Sequence, residues 1–154
     1  MKYLIVIILC IFLSSCNDDN EQFIVDTALE ISVKDSTGSN LLNPSTPNSL
    51  DENNIKIIYE IDGEQIEFNK PNLTFSKGFF IHQVENEHRI AIHLNTDKNA
   101  EYPVTYIKWN NIDTDTIKCK IERTSNSEIC KKVWFNEKVV WEDFATERHF
   151  EIIK

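Results

Sequence analysis

The segment IKIIYEIDGEQIEF, residues 55–68, limits the fold more than any other stretch of the chain. Ile55, Ile57, Tyr59 and Ile61 alternate with polar or outward positions. Asp62-Gly63 then supplies two residues that tolerate positive φ, and Ile66 and Phe68 resume the alternation. Strands place successive side chains on opposite faces, so this spacing describes a half-buried strand. An Asp-Gly pair between two such runs describes a tight hairpin. The same period recurs throughout. Leu29, Ile31 and Val33 alternate with Glu30, Ser32 and Lys34, followed by a turn at DSTGS (35–39) and a loop over 41–54 punctuated by Pro44 and Pro47. Residues 79–84 and 88–94 form a second hairpin around Glu85-Asn86-Glu87. Residues 104–109 and 115–123 flank Asn110-Asn111, residues 129–135 and 138–141 flank Asn136-Glu137, and 150–153 adds one more strand. No stretch sustains a 3.6-residue period over three turns, and only WEDFATERHF (141–150) would accommodate a short helix. About nine short strands joined by turn residues predict an all-β, antiparallel β-sandwich, immunoglobulin-like in character, with a small antiparallel β-barrel as the other arrangement.

The beginning of the chain reads differently. Lys2 precedes an uncharged apolar run from Tyr3 to Leu13, and Ser14 and Ser15 follow. A positive residue, a short apolar core and small residues before a cut describe a secretory signal. Eleven apolar residues are too few for a membrane span, which takes about 20. Leu13-Ser14-Ser15-Cys16 resembles the bacterial lipobox. That resemblance implies a diacylglycerol thioether on Cys16, cleavage before it and acylation of the new amine. Two or three acyl chains anchor a protein where one holds it only marginally. The run NDDNE that follows (17–21) resembles the surface-export signal of Bacteroidota lipoproteins, which implies the outer leaflet of the outer membrane. The expected organisation is a signal peptide over 1–15, a lipidated flexible tether over 16–28 and one sandwich domain over 29–154.

Removing residues 1–15 takes away Lys2 and no acid, so the formal charge moves from −9 to −10. So acidic a chain lacks the lysine and arginine surplus that drives binding to nucleic-acid phosphates, and nucleic acid is excluded as a partner. The mature length suits one domain with a real core.

Four cysteines are present. Cys10 leaves with the signal and Cys16 carries lipid, which leaves Cys119 and Cys130. They flank the turn residues TSNS in KCKIERTSNSEICKK. A hairpin centred between Thr124 and Ser125 would set them directly opposite, and export favours their joining as a disulfide. No second cysteine pair or nearby histidine completes a zinc set, and no metal or cofactor is expected. With a hairpin centred on Asn86, His82 pairs with Ile90 and His93 with Phe79, so the histidines do not converge. Asp113 and Asp115 could share a strand face and hold calcium, though a solvated acidic edge is the commoner arrangement. GxSxG and HExxH motifs are missing, and glycines only at 38, 63 and 78 make no phosphate loop. Asp35-Ser-Thr-Gly38 is a turn, because its glycine comes one residue too late for an aspartic-protease motif. No catalytic residue is assigned.

KVWFNEKVVW (132–141) is the most distinctive internal segment. A two-residue turn at Asn136-Glu137 pairs Trp134 with Val139 and sets Trp141 diagonal to Trp134 on the same face, with Val133, Phe135 and Val140 on the other. Two tryptophans on one face make either a core contact or a platform for a sugar or protein ligand. Asp26-Thr27-Ala28, Asp35-Ser36-Thr37 and Asp115-Thr116-Ile117 resemble the three-residue O-glycosylation sequon of exported Bacteroidota proteins, which implies Thr27, Ser36 and Thr116 as acceptors. DSTGSNLLNP, IIYEIDGE and KVWFNEKVVW together are similar to segments of small lipoproteins from Bacteroidota, a resemblance that implies location and a β-rich fold but no activity. The expected role is a membrane-anchored, surface-exposed, non-enzymatic binding or accessory module for a glycan or protein. A cell-surface hydrolase acting on glycan or peptide, and an inhibitor or immunity-type lipoprotein, are the alternatives. A rigid protruding loop at 41–54 would favour the inhibitor.

Overall fold

The computed structural model describes residues 22–142 and 146–154. Within them the chain forms eleven strands and no helix: β1 (Ile24–Asp26), β2 (Ala28–Lys34), β3 (Lys56–Ile61), β4 (Glu64–Glu67), β5 (Phe79–Val84), β6 (Glu87–His93), β7 (Val104–Lys108), β8 (Thr114–Arg123), β9 (Ser127–Phe135), β10 (Lys138–Glu142) and β11 (His149–Ile153). Two sheets pack face to face as a sandwich. The larger has seven strands in the order β1-β9-β8-β7-β3-β4, with β10 also on β9; the smaller runs β11-β2-β6-β5. The sandwich is as expected, and no closed barrel forms.

The alternation selects the core. Leu29, Ile31 and Val33 of β2, Ile90 and Ile92 of β6, Ile57 of β3, Ile107 of β7 and Ile117 of β8 are all fully buried between the sheets. Each such side chain contributes about 1.5–3 kcal/mol by leaving water. The two-residue turns use the residues anticipated for them: Ile61 pairs with Glu64 across Asp62 (φ 53°) and Gly63 (φ 82°), and Phe135 pairs with Lys138 across Asn136 and Glu137, both at positive φ. Buried Asn95 ties the loop after β6 to the large sheet, donating its side-chain amide to the carbonyls of Glu60 and Val104.

Several expectations are corrected. The sheets are mixed rather than purely antiparallel, because β1 runs parallel to β9 and β11 parallel to β2. The expected tether over 16–28 ends sooner than its far boundary: β1 and the start of β2 already belong to the sandwich, with Thr27 buried between them. The β5–β6 hairpin turns on Glu85-Asn86 alone, so Val84 pairs with Glu87 and His82 with Arg89 rather than Ile90. The short helix entertained within 141–150 does not form in its described part, where Trp141 and Glu142 end β10 and His149 begins β11; its remaining residues, 143–145, lie outside the described residues.

β11 is held by polar contacts as well as its ladder. Ser32 Oγ lies 2.8 Å from His149 Nε2, and the Arg89 guanidinium reaches Glu30 at 3.1 Å and Glu147 at 3.0 Å. Burial, and then the Arg89 charge, hold the His149 imidazole below its ordinary value of 6.5. The unfolded chain therefore takes up a proton on this histidine before the folded one does. Its contribution to stability is complete above pH 6.5 and is lost as pH falls from there through the lower folded value. Denaturant midpoints measured from pH 7.5 to 5 should fall with acidity, and His149→Gln should flatten that part of the curve.

Candidate functional site

The outer face of the seven-stranded sheet carries the surface best suited to a ligand. Two bulges create it. Lys120 pairs with Lys132 and Ile121 with Cys130, which leaves Lys131 as the extra residue of β9. Val139 pairs with Trp134 and Trp141 with Val133, which leaves Val140 as the extra residue of β10. One extra residue reverses which face every later side chain meets. Trp141 is thereby turned inward to join Val133 in the core, only 5 % exposed, and its indole Nε1 donates to the Thr146 carbonyl at 3.1 Å. Of the two arrangements the sequence leaves open, Trp141 takes the core contact, so the pair forms no joint platform. Trp134 alone stays outside, half-buried.

Trp134 acquires a different aromatic neighbour. Tyr102, in the loop before β7, stands edge-on to it with ring centroids 5.6 Å apart at 90°. The Lys132 ammonium lies 5.3 Å from the indole centroid, a cation–π contact. Around them Lys120, Glu122, Lys131 and Glu142 complete a groove of about 570 Å³. Its charges are largely paired, Lys132 with Glu142 at 2.8 Å and Lys131 with Glu122 at 3.4 Å. A hydrogen bond to Glu101 holds the Tyr102 hydroxyl above its ordinary value. An aromatic face bordered by alternating donors and acceptors suits a flat ligand with many hydroxyls, or a peptide side chain laid across the indole.

Sequence reasoning singled out Trp134 but not Tyr102, Lys132 or Glu142. The alternation of β8 and β9 does place Lys120, Lys132 and Trp134 on one face, and that signal was available. Tyr102 comes from a loop, which alternation does not reach.

The remaining predicted residues fall in separate places. Cys16 lies outside the described residues. Of the glycan acceptors, Thr27 is buried and closed to an enzyme in the folded chain, Thr116 is half-buried within β8, and Ser36 stands exposed on the 35–39 turn. Asp113 and Asp115 do converge, but on a lysine. The Lys154 ammonium sits 2.8 Å from Asp113 and 2.5 Å from Asp115, occupying the position a cation would take. No group of three or more metal-ligating side chains is gathered among the described residues. The Ser32–His149 contact has the chemistry of a nucleophile and base, yet Ser32 is completely buried, so no substrate carbonyl can approach it.

The disulfide is also corrected: Cys119 and Cys130 are free, buried thiols. The β8–β9 hairpin turns one residue later than expected and carries the Lys131 bulge, so Cys119 faces Val133 while Cys130 faces Ile121. Both side chains still point inward, diagonal to one another. A hydrogen bond to Cys130, together with burial, pushes the Cys119 thiol far up, which leaves it unreactive at neutral pH. A chain of residues 22–154 should ignore a water-soluble maleimide when native and show two reactive thiols once denatured; none after denaturation would mean the thiols had joined.

The loop at 41–54 does not protrude as an inhibitor loop would. Leu41 and Leu42 are buried, Leu41 N donates to the Val33 carbonyl at 2.7 Å and Leu50 N to the Leu41 carbonyl at 2.8 Å. Beside it lies a second cleft of about 540 Å³, where Leu42, Leu50 and Ile81 meet His88, Asp51 and Glu52.

Comparison of the chain with protein-family models, with curated proteins and with solved structures gives no match in any of the three.

Proposed function

We propose that the protein is a lipid-anchored binding module, displayed at the outer-membrane surface of a bacterium resembling the Bacteroidota, that recognises a glycan or protein through the Trp134 groove. The observation that carries the binding reading is the position of Trp134. A large aromatic side chain is left only partly buried on a sheet face, beside Tyr102 and paired lysines and glutamates, while the other two tryptophans are buried. The anchor is supported by Leu13-Ser14-Ser15-Cys16, and display at the surface by the acids of NDDNE. No helix among the described residues is long and apolar enough to cross a membrane.

Two measurements test it. Cys16→Ser should leave an uncut, unlipidated precursor; mature protein carrying an unmodified Cys16, seen by mass spectrometry, would refute the anchor. A glycan array and a pull-down with residues 22–154 should yield a ligand whose binding is lost in Trp134→Ala. A ligand bound equally well by that variant would move the site elsewhere.

A further inference from the structure

The sandwich has two distinct ends, and the chain enters at one of them. Ile24 N donates to the Asn126 carbonyl at 2.9 Å, and β1 runs parallel to β9 from Ser127 onward, so residues 22–24 lie beside the β8–β9 turn. The chain then runs through β2 to Lys34 at the opposite end. There the Lys34 carbonyl accepts from Lys154 N, and Lys154 reaches Asp113 beside the β7–β8 turn. Residues 110–113, the 35–39 turn and the 41–54 loop therefore sit away from the point of entry.

That point is unusually apolar. Phe23, Ile24 and Val25 are consecutive and are 49 %, 53 % and 59 % exposed. Side chains alternate in direction along a strand, so three exposed in a row means that neither face of β1 is covered. Contiguous exposed apolar side chains mark a contact surface. The length of chain before them indicates which. Cys16 lies seven residues before Phe23, a distance of at most about 25 Å when fully extended. The headgroup layer on each side of a bilayer is about 5–7 Å thick, so residues 23–25 are within reach of it from an acylated Cys16.

We infer that residues 23–25 rest on the lipid surface as a second membrane contact, which orients the sandwich with its 41–54 loop and the adjoining cleft away from the bilayer. The inference rests on the acylation of Cys16 proposed above. The contact is apolar rather than electrostatic, because Asp18, Asp19 and Glu21 make the tether acidic and offer anionic headgroups no attraction.

The test uses the full, lipidated chain, purified from bacterial membranes and reconstituted into phosphatidylcholine vesicles. Val25→Cys and, separately, Ile112→Cys receive a nitroxide label; Ile112 is 96 % exposed at the opposite end, and the two native thiols are buried. Intact mass reports the acyl chains. On vesicles the label at position 25 should gain exposure to oxygen and lose exposure to a water-soluble nickel chelate, unchanged by about 0.5 M salt, where the Debye length is only about 4 Å, while the label at 112 stays open to nickel. Acylated protein that floats with vesicles while both labels remain equally open to nickel overturns the inference and leaves the anchor standing. Protein without acyl chains overturns both.

Discussion

Asp115→Ala is expected to lower the stability of the fold by about 3–5 kcal/mol, the range for removing one partner of a buried ion pair. The carboxylate is nearly enclosed and fully engaged. Trp109 Nε1 donates to it at 2.7 Å, Asn136 Nδ2 at 2.7 Å and Lys154 Nζ at 2.5 Å. Those three partners come from the end of β7, the β9–β10 turn and the end of β11, so one carboxylate fastens separate parts of both sheets. Its loss leaves the Trp109 indole N–H without its acceptor and the Lys154 ammonium with Asp113 alone, and unmet buried donors are what make such deletions costly. The pH dependence follows. Burial alone would raise the carboxyl, but the bonds from Asn136, Lys154 and Trp109 outweigh it and hold the folded value below the ordinary 3.8. The stabilisation is therefore fully present above pH 3.8 and is lost as pH falls through the folded value. Urea midpoints at pH 7 should drop sharply in Asp115→Ala, and the variant should lose part of the decline that the parent shows between pH 4 and 2. A cost under about 1 kcal/mol would mean that the carboxylate is far better solvated than its surroundings indicate.

How much of this was legible beforehand depends on the range over which each signal acts. Inward alternation and turn chemistry act over a few residues, so Leu29-Ile31-Val33, the Asp62-Gly63 hairpin and the Asn136-Glu137 turn were readable from the chain. Parallel pairing of β1 with β9 joins residues about a hundred positions apart, and nothing local in either segment declares it. The bulges are the more instructive case. Lys131 and Val140 carry no mark of their role, because any residue can be the extra one when the partner strand and the packing above it favour the local kink. Yet each moves a proposed site: the first, with the later turn, takes Cys119 and Cys130 out of direct opposition, and the second takes Trp141 away from Trp134. Period-two reading preserves strand identity through such a slip and loses the face.

The two tryptophans of KVWFNEKVVW should consequently behave in opposite ways. Trp141 is packed among the core side chains, with the Arg148 guanidinium 4.7 Å from its ring centroid and its N–H on the Thr146 carbonyl. Trp141→Ala should cost about 3–5 kcal/mol, as large-to-small core substitutions do. Trp134 packs only edgewise on Tyr102 and beneath Lys132, and its truncation should cost about 1 kcal/mol or less. Iodide distinguishes them without any ligand. Trp109 and Trp141 are sheltered from solvent, so the quenchable emission belongs to Trp134, and Trp134→Phe should remove most of it. Quenching that persists in that variant would place an exposed indole elsewhere and withdraw the groove as the binding surface. If quenching disappears and stability holds, Trp134 is an aromatic side chain kept at the surface at little benefit to the fold. That outcome is the one the proposed binding groove requires.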